Sequence, residues 1–401
     1  MEILQKIYEM TAFGGLADDP MSILMLLLGL LLLYLGIGKK FEPLLLVPIA
    51  FGVLLANFPG GNMGIMPSSQ SEIAMQMPIH QIATEYGIMN MLYFMLIKTG
   101  LLPPLIFMGV GALTDFGPML RNLKLAYFGA AAQIGIFSVL ILSLSFGFTL
   151  KEASALGIIG GADGPTAIYT SIILAPHLLG PIAIAAYSYM ALVPVIIPFV
   201  AKMTMSRQEF LINMKEQDKL YPPTVQIKNL KLLKIIFPIV LCVIVSLLVP
   251  SSVPLIGFLL FGNLVKEIGT DTHRLFSAVS ETILNTATIL LGLCVGATMT
   301  SATFLQTQTL MIVVGGFLAF CLSVAGGIYA VKLHNSFSRK KINPLIGATG
   351  LSAVPMSSRV ANEIAIKYDP TNHILQYAMS SNISGVIGSA VAAGVLISFL
   401  K

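Results

Sequence analysis

Asp163 is the residue in this chain whose setting most demands a chemical explanation. It stands in GIIGGADGPTAIYTS, Gly157 to Ser171, between Gly160, Gly161, Gly164 and Pro165. No other Asp, Glu, Lys or Arg occurs between Glu152 and Lys202. An ionised carboxylate in hydrocarbon costs roughly 2.5–3.5 kcal/mol even on lenient insertion scales. The glycines and the proline break the helix, which frees backbone groups that only a wet or ligand-filled cavity satisfies. A carboxylate beside unwound carbonyls is an oxygen-rich nest for a hard monovalent cation, as at the broken helices of transporters. An ordinary interfacial loop acid is the competing reading, and the isolation of Asp163 argues against it.

A second broken stretch, NPLIGATGLSAVPMSSR, runs from Asn343 to Arg359 and carries Asn343, Thr349, Ser352, Ser357 and Ser358. Where the first stretch has Asp163, the second has Thr349. One negative charge among neutral oxygens suits sodium and could also hold a proton; helix packing through small residues is the bland alternative. Arg359 could fork onto a carboxylate or snorkel to an interface. Tyr187 and Tyr189 offer phenolic oxygens or stand as interfacial aromatics. In SSNISGVIGSAVAAG, Ser380 to Gly394, Asn382 could add a ligand, although its small neighbours read first as a packing face. Glu281 and Asn285, one helical turn apart, read as an interfacial pair. Cys242, Cys294 and Cys321 are far apart and show no metal or disulfide spacing. Nucleotide-loop, hydrolase and zinc-protease motifs are absent from the sequence.

The elements that must position these residues are membrane helices. Of 401 residues, 56% are hydrophobic and 10% charged, with no Trp, whereas soluble domains are about a quarter charged. Apolar runs of spanning length recur, such as 21–38 and 125–148, and the short alternating segments of a β-barrel do not. The net charge of +5 is scattered between spans, so nothing suggests a nucleic-acid partner. The N-terminal MEILQKIYEM lacks a basic signal-peptide region and is expected to stay in the mature chain.

The chain repeats itself. GADGPTA at 161–167 matches GATGLSA at 347–353, and Val110-Gly111-Ala112 matches Val295-Gly296-Ala297 at nearly the same offset, as does Gly129-Ala130 with Gly315-Gly316. Spans are expected near 21–38, 43–57, 88–114, 123–148 and 180–202, then 233–249, 253–265, 275–299, 307–331 and 373–400. If the motif segments 152–175 and 343–366 are re-entrant hairpins, Lys39-Lys40, Arg121, Lys124, the 202–234 stretch, Lys266, Arg274 and Arg339-Lys340-Lys341 all share one side. The positive-inside rule favours that arrangement. The expected fold is therefore an all-α polytopic membrane protein of about 10–12 membrane segments. Residues 1–203 form one repeat, 204–232 a cytoplasmic linker, and 233–401 a second repeat inverted relative to the first.

These motifs together, GGADGPTAIYTS, NPLIGATGLSAVPMSSR and SNISGVIGSAVAAG, resemble the β subunit of sodium-translocating, biotin-dependent decarboxylases over nearly the whole chain. Those are the oxaloacetate, methylmalonyl-CoA, glutaconyl-CoA and malonate types. The resemblance implies a membrane subunit that decarboxylates carboxybiotin, consumes a proton and couples this to sodium export. By motif match, Asp163 is the central sodium and proton site, and Tyr189 a second group handling either ion. Asn343, the backbone of Gly347, Ser352 and Asn382 complete sodium coordination, and Arg359 holds the carboxybiotin carboxylate. The implied cofactors are sodium and biotin, the latter as carboxybiotin on a carrier, with no transition metal. The implied partners are a carboxyltransferase α subunit, the biotin carrier protein, a small single-span γ or δ subunit, the lipid bilayer and further copies of the chain. The implied location is the plasma membrane of a prokaryote. A stand-alone sodium/proton antiporter or sodium-coupled organic-anion transporter is the alternative that an inverted repeat alone leaves open.

Overall fold

Helices that satisfy their own backbone polar groups are what a chain this apolar can form in lipid, and the computed structural model has no strand among its described residues. These are residue 8 and residues 11–40, 43–74, 76–222, 229–304, 306–353 and 355–401. Most of MEILQKIYEM, Val354 of the second motif, and Pro223 and Lys228 of the expected linker lie outside them.

We number the helices α1 Pro20–Gly38, α2 Pro43–Ala56, α3 Ile88–Lys98 and α4 Leu102–Leu113. Next come α5 Leu123–Ser145, α6 Leu150–Gly157, α7 Gly164–Leu174, α8 Leu179–Thr204 and α9 Met214–Leu220. The remainder are α10 Leu230–Leu248, α11 Val253–Ile268, α12 Thr270–Ala297, α13 Thr307–Phe337, α14 Leu345–Ala348, α15 Met356–Tyr368 and α16 Leu375–Leu400. Among the described residues seven helices are long and apolar enough to cross a membrane, or nine when each bent pair counts as one span. One bent pair is α3 with α4, at 64°, and the other is α8, bent by 68° near its middle. Adding the shorter α2 and the two broken motif segments reaches the expected 10–12. The expected span 253–265 is longer than its apolar core suggested, because Pro250–Ser252 starts the helix early.

Among the described residues the apolar side chains sort into two larger assemblies and two smaller ones. One large core draws on α5, α6, α7, α8, α13, α14, α15 and α16, with Ile158, Phe320, Leu345 and Leu351 fully enclosed. A second joins α1–α4 and α12, and α7 and α8 lean on it through Ile168 and Ile184. α10 is the barest span: Leu232, Ile236, Val243 and Leu247 stay exposed, as side chains facing lipid do.

The pairing of helices repeats across the two halves. α2 packs on α12 while α4 packs on α11, and α5 packs on α16 while α8 packs on α13. The matched glycines carry the first two crossings. A Cβ on Gly111 would stand 1.8 Å from the Leu259 carbonyl oxygen, and one on Gly262 1.9 Å from that of Met108. On the other crossing, Gly296 and Gly52 meet the Ile49 and Leu293 carbonyls at 2.1 and 2.4 Å. Only glycine allows backbones this close. Both halves also carry a π-helical stretch at matching places, Tyr93–Lys98 and Ala278–Ile283.

One end of the molecule gathers charge. Lys234 pairs with Asp115 at 2.8 Å and Glu267 at 3.0 Å, joining the ends of α4, α10 and α11. At the foot of α13, Lys332 pairs with Glu209 at 3.0 Å and Lys340 with Asp218 at 2.5 Å.

Candidate functional site

Each motif segment folds back on itself. In the first, Thr149 and Glu152 form a reciprocal cap at the start of α6, the type of signal that fixes a helix start. The chain leaves α6 through the tight turn Ile158–Gly161, places Ala162 in the left-handed region at φ 56°, and starts α7 on Asp163 as its cap. A left-handed conformation in a residue with a Cβ costs about 1–2 kcal/mol, so the fold holds this turn at some expense. The mouth of the hairpin is closed by His177 Nε2 against Glu152 Oε1 at 2.7 Å.

The second segment opens at the opposite end of the molecule. Pro176, His177 and Leu178 line a cavity with Gln306 and Thr309 at the start of α13, whereas Glu209 pairs with Lys332 near that helix's end. α13 has 31 residues, about 46 Å at 1.5 Å each. At this far end the second hairpin is pinned on both sides by one stretch of chain. Asn343 Nδ2 donates to the Phe210 and Ile212 carbonyls at 3.2 and 3.0 Å. Asn372 Nδ2 donates to the same Ile212 carbonyl at 2.9 Å, and Asn213 Nδ2 to Asp369 Oδ2 at 2.9 Å. Hydrogen bonds from the Thr371 hydroxyl and amide, and then from Asn213, hold the Asp369 carboxyl below the usual carboxylate range.

The tips of the two hairpins touch. Ser352 donates its amide to the Gly161 carbonyl at 3.1 Å and its hydroxyl to Asp163 Oδ2 at 2.7 Å. Ser389, on α16, donates to the same Oδ2 at 2.7 Å. Asp163 Oδ1 accepts from the Thr166 amide at 3.1 Å and keeps spare lone-pair capacity. Asp163 is only 4% exposed. Around it stand buried oxygens with no hydrogen-bond partner: Thr166 Oγ1, Tyr187 OH and Gln133 Oε1. The Tyr187 ring packs on Gly164, and Gln133 Oε1 lies against Gly161. Orphaned buried acceptors are costly. A carboxylate, hydroxyls and an amide oxygen converging without nitrogen or sulfur donors suit a hard cation.

Not every residue singled out in the sequence comes to this point. Ser352 does. Asn343 instead turns back on its own chain just before α14, its Oδ1 accepting from the Leu345 amide at 3.0 Å, and its amide nitrogen holds the 210–212 stretch. Gly347 faces α13, where a Cβ on Gly327 would lie 2.0 Å from the Gly347 carbonyl oxygen. Thr349 donates to the Ala378 carbonyl at 2.9 Å and so ties the hairpin to α16. Asn382 donates to the Leu351 carbonyl and, at 2.9 Å, to Ser357 Oγ. It braces the residue before Ser352, and its own Oδ1 is unpartnered, as are Ser358 Oγ and Ser381 Oγ. Tyr189 turns away to α13, donating to the Val313 carbonyl and packing on Phe317 and Phe320. Arg359 is exposed in the first turn of α15. Glu281 lies in the π-helical stretch of α12, remote in sequence and packing from the hairpins.

Ser389, Thr166 and Gln133 were not anticipated. Ser389 was hidden in a run of Gly, Ala and Ser that reads as a packing stripe; its only signal was being a hydroxyl among alanines and glycines. Gln133, lone in the apolar 125–148 run, was as conspicuous by type as Asp163, but no proline or paired glycines stand beside it to signal the one-residue break that α5 has there.

The family model for the Na+-transporting oxaloacetate decarboxylase beta subunit matches residues 21–400. Over 403 residues the chain is 45% identical to the methylmalonyl-CoA decarboxylase subunit beta of Propionigenium modestum, covering 99% of each. It is 45% identical to the oxaloacetate decarboxylase beta chain of Klebsiella pneumoniae, covering 94% of both. To the probable oxaloacetate decarboxylase beta chain of Vibrio cholerae it is 43% identical, over 94% of this chain and 95% of that one.

Proposed function

Since this chain belongs to the family of the Na+-transporting oxaloacetate decarboxylase beta subunit, we propose that it decarboxylates carboxybiotin and couples that reaction to sodium export. The N–CO2− bond of carboxybiotin breaks, CO2 leaves, and the biotin nitrogen takes a proton. Asp163 is the group that exchanges that proton for sodium. Its contact with Ser352 and Ser389 is the observation that carries the reading, because one carboxylate there joins two broken segments opening at opposite ends.

Sodium moving out against a negative-inside potential costs about 2.3 kcal/mol per charge per 100 mV. Decarboxylation supplies this only if sodium and proton occupancy favour different states of the site. In the proposed cycle, sodium sits on Asp163 with the Ser352, Ser389 and Thr166 hydroxyl oxygens, and Asn382 braces the loop that presents Ser352. Arg359 receives the carboxylate of carboxybiotin. Asn343 and Gly347 act by shaping the second hairpin, and Tyr187 is the phenol nearest the carboxylate. Tyr189 acts from the α8–α13 contact. Repeats 1–203 and 233–401, related by inversion about this point with the 204–232 linker on the cytoplasmic side, provide the symmetry for alternating access. The repeated helix pairing and the matching π-helical stretches support that relation.

The carboxyltransferase, the biotin carrier and a small single-span subunit are the proposed partners, in the plasma membrane of a prokaryote and around a core of several copies of the chain. Relatives of similar identity are named for oxaloacetate and for methylmalonyl-CoA, so the acid is assigned to the carboxyltransferase. The test is the decay of carboxybiotin on the isolated carrier mixed with the purified protein, with and without sodium. Sodium-stimulated decay that disappears in Asp163→Asn supports the proposal. Absence of decay in the unaltered protein, with sodium/proton exchange retained in proteoliposomes, replaces it with an antiporter.

A further inference from the structure

The stretch from Phe210 to Tyr221 makes a set of bonds that its place in the sequence does not require. Asn343 and Asn372 reach its carbonyls from the two sides of the second hairpin's mouth, and the Lys341 amide donates to Gln217 Oε1 at 2.9 Å. The centre of the arrangement is Asp218. Its Oδ1 takes Lys340 Nζ at 2.5 Å and its Oδ2 takes the Tyr377 hydroxyl at 2.5 Å. Lys340 lies three residues ahead of Asn343, where the hairpin begins, and Tyr377 lies in the first turn of α16. The two elements tied by this single carboxylate are the ones that deliver Ser352 and Ser389 to Asp163.

We propose that Asp218 is a positioning residue for the ion site, setting the spacing between the second hairpin and α16 and hence between the two hydroxyls on Asp163. The inference rests on the reading of Asp163 as the sodium site. A helix transmits such a constraint because its backbone bonds leave it axially stiff: Tyr377 to Ser389 is one uninterrupted stretch of α16, about 18 Å at 1.5 Å per residue. On the hairpin side the path is short and held by Asn343 and Thr349. Glu209 provides the contrast. It belongs to the same connecting stretch but pairs with Lys332 on α13, which contributes no hydroxyl to Asp163.

The experiment follows thermal unfolding of the purified full chain while sodium chloride replaces choline chloride. An ion that binds only the folded protein raises the melting temperature as its concentration passes its dissociation constant. Changes along a network that couples two sites typically shift affinity by about two- to thirtyfold, so Asp218→Asn should move the sodium midpoint severalfold higher. Tyr377→Phe should move it the same way, and Glu209→Gln should leave it in place. Added to Ser352→Ala, Asp218→Asn should bring little further shift, because both act through one contact. An unmoved midpoint in both Asp218→Asn and Tyr377→Phe, or shifts that simply add to that of Ser352→Ala, overturns the proposal. If Asp218→Asn does not fold, Tyr377→Phe alone decides. A sodium-insensitive melting temperature in the unaltered protein would remove the ion site itself, a different failure from an unmoved midpoint.

Discussion

Ser389 and Asp163, 226 residues apart, meet through a hydrogen bond of 2.7 Å from the serine hydroxyl to carboxylate Oδ2. Ser352 makes the same bond to the same oxygen from a third segment. Three parts of the chain therefore agree on the position of one atom. Each hydroxyl stabilises the charged carboxylate and keeps lone pairs for a cation.

Hydrogen bonds to charged groups contribute about 1.5–3 kcal/mol, and one decade of affinity is about 1.36 kcal/mol. Ser352→Ala and Ser389→Ala should each raise the sodium concentration for half-maximal carboxybiotin decay by roughly ten- to a hundredfold. Titrating sodium against the initial rate of decay checks this. An unchanged half-saturation in Ser389→Ala would exclude its hydroxyl from the site.

Tyr187 and Tyr189 make opposite demands on a Phe replacement. The Tyr187 hydroxyl is buried without a partner beside Gly164, so Tyr187→Phe sacrifices no hydrogen bond and should keep or raise the melting temperature in choline chloride. The Tyr189 hydroxyl is bonded to the Val313 carbonyl, and its removal should cost about 1 kcal/mol of stability. Melting curves of the two variants side by side decide. A larger loss from Tyr187→Phe would mean that its hydroxyl is satisfied in the folded protein.

Arg359 is exposed on α15 beyond the last hydroxyls of the second motif. Arg359→Lys keeps the charge and loses the planar fork that matches a carboxylate. The expected result is a KM for the carboxylated carrier raised about tenfold or more, as loss of one charged hydrogen bond predicts. The sodium midpoint of thermal unfolding should stay put without carrier. A shift of that midpoint would place Arg359 in the ion site instead.

The glycine crossings can be tested without function. Gly111→Ala and Gly262→Ala put a methyl group within 1.9 Å of carbonyl oxygens on a facing helix, and overpacking costs about 1–3 kcal/mol or more. Gly315, on α13, has no atom within 4 Å of a Cβ, so Gly315→Ala should keep stability or add up to about 1 kcal/mol of helix propensity. Detergent melting temperatures falling for the first two and not the third is the expected pattern. Equal tolerance at all three would contradict the close crossings.

Much of the candidate site was legible because burying charge is expensive and breaking a helix in lipid is rarer still. Asp163 announced itself by both, and the matched motif led directly to Ser352. Asn343, Gly347 and Asn382 were read from the same motifs as ligands, whereas the structure gives their side chains or backbone to bracing the hairpin. A polar residue in a broken segment looks the same in sequence whether it faces the ion or holds the loop that does. The π-helical stretches had no sequence signal, since their residues are ordinary helix formers.

The sequence by itself pointed to a bundle of membrane helices, to a likeness between its two halves, and to one carboxylate isolated in the first of two matched motifs. Composition, span length and helix-breaking residues are local properties, and the cost of polar groups in lipid makes them decisive. Only the tertiary structure decided which oxygens share Asp163. It chose Ser389 over Asn382, turned Tyr187 and not Tyr189 toward Gly164, and laid the 210–221 stretch across the second hairpin. Those choices depend on rotations and crossings of helices set by glycine contacts far from the motifs, such as Gly111 on Leu259. A helix's sequence fixes what its faces carry, and its packing partners fix where each face points.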